Sequence, residues 1–72
     1  MTSPFWVYTD KARDLCLIRG YVRDLLADAD VLDRARWSPS ARGWVLTDSD
    51  AAQLCVVAEM QDRPYRCKDV VA

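Results

Sequence analysis

The rhythm of apolar and polar positions changes several times along the chain, and each change marks an element. Beyond Thr47 the rhythm is helical. Ala51, Leu54, Cys55 and Ala58 fall at i, i+3, i+4 and i+7, one apolar stripe of an α-helix. Thr47 stands where an N-cap is needed, and Asp48 and Asp50 occupy the first turn, where carboxylates suit the helix dipole. Pro64 stops this helix, with Arg63 near its end. Ahead of it, Arg34-Ala35-Arg36-Trp37 and Trp44-Val45-Leu46 are β-prone runs. Between them lies Ser38-Pro39-Ser40-Ala41-Arg42-Gly43, a stretch with hairpin-turn chemistry in which Gly43 is expected at positive φ. After the helix, Tyr65 to Val70 alternates as a strand does. Arg66 and Lys68 project to one face, and Tyr65, Cys67 and Asp69 to the other. The second half reads ββαβ.

The first half admits two readings. Leu15, Ile18, Val22, Leu25 and Leu26 fit one face of a long helix beginning near Asp10. That helix would hold Gly20 in its interior at a cost of about 1 kcal/mol, and Leu15-Cys16-Leu17-Ile18 is equally a buried strand. A shift of 29 residues lays Tyr8–Leu17 over Trp37–Leu46, matching aromatic to aromatic, Ala12-Arg13 to Ala41-Arg42 and Leu17 to Leu46. In the same register Leu25 meets Leu54 and Ala29 meets Ala58. Self-similarity at a fixed period points to a repeated unit. The expected fold is a small two-layer α+β domain, a tandem hairpin-helix of order ββα-ββα-β with a mainly antiparallel sheet. It forms one domain over residues 1–72, from units 4–31 and 32–70. The helices of so short a chain can cover only one face of a four- or five-stranded sheet. Its closing strand is an open edge for strand addition, so a homodimer is one expected outcome.

Composition narrows the chemistry. A chain of 72 residues buries about 60% of the surface its unfolded form exposes, which leaves little room for an enclosed active site. It is 51% apolar and 29% charged, a globular balance. Ten basic and eleven acidic side chains leave a net charge of −1, so bulk charge favours neither nucleic acid nor an anionic membrane. Histidine is absent, which removes Ser-His-Asp and Cys-His nucleophile pairs and imidazole zinc sites. With Gly20 and Gly43 alone, no glycine-rich phosphate loop can form. Cys16, Cys55 and Cys67 match no C-x-x-C spacing and are expected as reduced, buried or half-buried thiols. Capping accounts for Asp48 and Asp50. Asp28, Asp30 and Asp33 read as a solvated face or as the match for a partner's basic patch rather than as a metal site. The expectation is therefore no enzyme, no cofactor and no metal. The opening residues Met1 to Trp6 lack the basic and apolar regions of a signal peptide, and the uncharged run Ala51 to Ala58 is too short to span a bilayer. No membrane association and a cytoplasmic location are expected. Eight Arg against two Lys, nine Ala and no Asn suggest a GC-rich genome.

The aromatics carry the remaining signal. Phe5, Trp6, Tyr8, Tyr21, Trp37, Trp44 and Tyr65 recur along the chain, several beside arginine, as in Arg36-Trp37, Arg42 near Trp44, and Tyr65-Arg66. Such residues pack cores, concentrate at protein interfaces, or stack on bases while guanidinium groups meet phosphates. The candidate interaction residues are Arg36, Trp37, Arg42, Trp44, Tyr65 and Arg66. The stretch Trp37 to Thr47, read as aromatic-x-Pro-x-x-x-Gly-Trp-Val followed by a helix, resembles short orphan proteins of actinobacteria, their plasmids and their phages. It is loosely similar to the HARP-type domains that accompany annealing helicases. The resemblance rests on Pro39, Gly43 and Trp44 and implies an accessory module touching nucleic acid or protein, with no catalytic residues to carry over. The leading expectation is a small non-enzymatic interaction or regulatory protein, encoded by a phage or mobile element, that binds a host protein. The alternative is a single-stranded or structured nucleic-acid-binding module using its Arg/aromatic strands.

Overall fold

Residues 15–18 alternate between half-buried and buried positions, and Gly20 takes a φ of +129°, which no α-helix accommodates. The ambiguous first half is therefore a hairpin followed by a short helix. A computed structural model describes residues 4–69. Its elements are β1 (Phe5–Asp10), β2 (Leu15–Arg19), α1 (Arg23–Asp28), β3 (Arg36–Ser38), β4 (Gly43–Thr47), α2 (Asp48–Met60) and β5 (Tyr65–Asp69). The chain is a small α+β domain with one five-stranded sheet of order β3-β4-β2-β1-β5. Neighbours pair antiparallel except β5, which α2 carries across to lie parallel to β1. Val70 of the expected closing strand lies outside the described residues.

Both helices pack on one face of the sheet. Phe5 and Val7 of β1, Cys16 and Ile18 of β2 and Leu46 of β4 form one buried cluster with Leu25 and Leu26 of α1 and Ala51, Leu54 and Ala58 of α2. The helix ends obey local chemistry. The Thr47 hydroxyl accepts from the Asp50 N–H at 3.2 Å, as an N-cap does. Both helices stop in a Schellman turn with an aspartate in the left-handed region. Asp30 has φ +61° beyond α1, with Val31 N–H donating to Leu26 O, and Asp62 has φ +55° beyond α2, with Arg63 N–H donating to Ala58 O. Asp30 is thus a helix-stop residue. Asp28 accepts from Gln61 Nε2 at 3.0 Å, tying the two helix ends together.

Three expectations change. The two hairpin-helix units are not equivalent at the 29-residue shift. Leu25 and Leu54 are both buried, but Cys16 rather than Leu17 pairs with Leu46 on the covered face. Gly43 does not hold the positive φ; Arg42 does, at +54°. Gly43 is needed for close approach instead, since a Cβ there would sit 2.7 Å from the Ile18 carbonyl oxygen. Cys67, finally, is exposed, whereas Cys16 is buried and Cys55 half-buried.

Candidate nucleic-acid interface

Strand alternation sends every second side chain to the face the helices leave bare. Register places these residues in rows across the sheet. One row is Arg66, Trp6 and Arg19, on β5, β1 and β2. The next is Lys68, Tyr8, Leu17, Val45 and Arg36, running from β5 to β3. A third holds Asp10, Leu15 and Thr47. Trp6 is 39% exposed, and its ring lies nearly parallel to that of Tyr8, at 19° and 6.0 Å between centroids. Arg42, from the β3–β4 turn, borders a shallow depression with Trp6, Tyr8 and Arg19. Arg13 rims a second one floored by Leu15, Leu17 and Val45, and approaches Asp10 at 3.8 Å.

Charge is sorted by face. Asp10 is the acid among the described strand positions of the bare face, against Arg19, Arg36, Arg66 and Lys68. Asp24, Asp28, Asp30, Asp33, Asp48, Asp50, Glu59 and Asp62 all lie in or beside the helices. Two arginines on the helical side are paired there: Arg34 with Asp50 at 3.1 Å, and Arg63 with Asp24 at 3.7 Å. Among the described residues, Arg19, Arg36, Arg42, Arg66 and Lys68 make no ion pair. A net charge near zero therefore conceals a basic, aromatic sheet face backed by acidic helices.

The sequence candidates divide between the two sides. Arg36 and Arg66 stand on the bare face, and Arg42 beside it. Trp37 and Trp44 turn to the helical side, where their rings meet edge-on at 5.4 Å. They wall an open cleft of about 650 Å³ whose other side is Tyr21, Ala27 and Leu32. Tyr65 stacks on Phe5 and donates to Glu59 Oε1 at 2.9 Å, a bond that holds the phenol proton and pushes its pKa up to about 12. The rings that reach the bare face are Trp6 and Tyr8, outside the candidate set. Their signal was period two: Phe5 and Val7 alternate with them along β1 and are buried.

The thiols belong to the covered face. Cys16 Sγ lies 3.8 Å from Thr9 Oγ1 and 3.6 Å from Asp48 Oδ1, and burial raises its pKa. Burial pushes Cys55 up to about 11. Among the described residues no cluster of three metal-ligating side chains occurs, and no helix is long and apolar enough to cross a membrane. Comparison with protein-family models, curated proteins and solved structures finds no match to this chain.

Proposed function

We propose that the chain is a non-enzymatic binding module whose bare sheet face docks on nucleic acid. The observation that supports this is the sorting of charge: unpaired cations surround two aromatic rings on one face, where Asp10 is the acid among the described strand positions, and most of the other acids lie in or beside the helices behind it. Such a face attracts a polyanion while the acidic back repels it, which orients the encounter. It also disfavours a second copy as the occupant, because face-to-face pairing would set Arg19, Arg36, Arg66 and Lys68 against their own equivalents. The composition, rich in Arg and Ala, fits a small accessory protein of a GC-rich phage or mobile element.

A labelled oligonucleotide titrated across a salt series tests the reading. Four phosphate contacts to a single strand give a slope of log K against log salt of about −3. Arg66→Gln with Lys68→Gln should flatten it, whereas Arg23→Gln, at the start of α1, should not. Absence of binding at low salt rejects the proposal. A host-protein partner is the second reading, favoured by the apolar Trp37/Trp44 cleft on the helical side. Capture from extract that persists after nuclease and is lost in Trp37→Ala would support that reading.

A further inference from the structure

Resting on the nucleic-acid reading above, we infer that the ligand is a single strand, with consecutive unpaired bases stacked on Trp6 and Tyr8 and its backbone following Arg66 and Lys68 along β5. The argument begins with position. Trp6 and Tyr8 are two residues apart on one strand, so both rings face the same way, and the rings are nearly parallel. Each has a cation at the same level on β5: Arg66 beside Trp6 and Lys68 beside Tyr8. Adjacent strands are about 4.8 Å apart, so a column of rings runs next to a column of charges. That pairing is what a single strand offers, with bases on one side of its backbone and phosphates on the other. Arg19 flanks Trp6 on the opposite side, and Arg42 borders the same depression. A base over Trp6 is therefore reached by guanidinium groups from both directions.

A duplex fits this face poorly. Its bases are stacked inside, and its major groove, about 12 Å wide, admits a helix or a two-stranded ribbon. Five strands at that spacing span roughly 19 Å, too broad and flat to enter. Laid on a duplex backbone, Trp6 and Tyr8 would rest against phosphate and sugar, and their apolar rings would gain nothing. A single strand uses both properties of the surface, because every base has a π-face and every linkage a charge. The apolar floor beyond Tyr8, formed by Leu15, Leu17 and Val45, extends the same platform toward β4. Asp10 closes that end with negative charge, so the strand's path leads away from it, across the Trp6 end of the face.

Fluorescence anisotropy with an oligothymidylate of about 12 nucleotides, a duplex of equal length and polyglutamate, all at low salt, tests the inference. The strand should bind at least tenfold tighter than the duplex, and polyglutamate should bind weakly. Trp6→Leu and Tyr8→Leu preserve an apolar strand surface, and each should weaken strand binding about tenfold with the far-ultraviolet spectrum unchanged. In a Trp37→Phe, Trp44→Phe background Trp6 is the remaining indole, and its emission should be quenched as the strand is added. Equal affinity for duplex and strand, or unchanged affinity in both leucine variants, overturns the single-strand inference while nucleic-acid binding stands. Polyglutamate binding as tightly as the strand reduces the face to plain charge. Failure of every probe to bind overturns both readings.

Discussion

Ile18 and Leu17 are consecutive in β2, yet Ile18 is fully buried beneath the helices and Leu17 lies half-exposed among cations. The same contrast runs through the whole sheet. On the covered face, Phe5, Val7, Cys16 and Leu46 meet leucine and alanine from both helices, and the Cys16 thiol there lies 3.6 Å from Asp48 Oδ1 with its pKa raised by burial. On the bare face, apolar residues are fewer and separated by Arg19, Arg36, Arg66 and Lys68. One face supplies the folding energy; the other is left open to solvent. For so small a domain this division is forced, because two helices of six and thirteen residues cannot cover both sides of five strands.

The sharpest way to break that comparison is to truncate the two neighbours. Ile18→Ala removes methyl groups from a closed cluster and should cost about 3 kcal/mol, a large share of the stability of so small a domain. Leu17→Ala should cost under about 1 kcal/mol, since water already reaches that side chain. Urea titrations with equal slopes would give both values. Equal losses would mean that the bare face is covered in solution.

Much of this architecture was legible in the sequence. Thr47, the Ala51–Leu54–Ala58 stripe and Pro64 define α2 through local rules that tertiary contacts do not override. The alternation of Tyr65 to Asp69 correctly separated Arg66 and Lys68 from Tyr65. The make-up of the bare face was less legible because pairing partners are set by long-range contacts. Nothing local to Trp6 says that Arg66, sixty residues away, will sit beside it. Arg36-Trp37 looked like one feature along the chain, but period two sends its members to opposite sides. Net charge was silent on the sorting for the same reason: a sum over the chain carries no information about which face a charge occupies.

Gly43 offers a second test, where β4 closely approaches β2. A Cβ there would meet the Ile18 carbonyl oxygen at 2.7 Å, Leu17 Cδ1 at 2.8 Å and Arg19 Cγ at 3.1 Å. The two side chains can move, but the carbonyl belongs to the β2 backbone. Gly43→Ala should therefore cost about 2 kcal/mol and displace Arg19, weakening oligonucleotide binding as well. A fully stable Gly43→Ala protein would show that β2 and β4 can separate without loss. Arg42→Gly should split the two properties instead. Relief of the left-handed conformation at φ +54° should raise stability by up to about 1 kcal/mol. Loss of the guanidinium should lower affinity severalfold. Changes of the same sign would remove Arg42 from the face.

The smallest expected effect tests where β5 is anchored. Its outward residues, Arg66 and Lys68, stand exposed on the bare face while Tyr65 fastens the strand from the covered side, stacked on Phe5 and donating to Glu59. The bond to Glu59 favours the neutral phenol and pushes its pKa up to about 12 in the folded chain, against about 10 for an unperturbed tyrosine. A folded-state pKa above the unfolded value means a contribution fully present below about pH 10 and lost as pH rises through about 12. Wild type should therefore exceed Tyr65→Phe in melting temperature by a small constant margin at neutral pH, and the two should converge across that interval. Cys55, pushed up to about 11 mainly by burial, titrates in the same window, so both proteins should carry Cys55→Ala. The margin should be modest, because Tyr65 is only half-buried and water competes for its hydroxyl. Parallel melting curves with no convergence would show that stacking on Phe5, not the bond to Glu59, holds the strand.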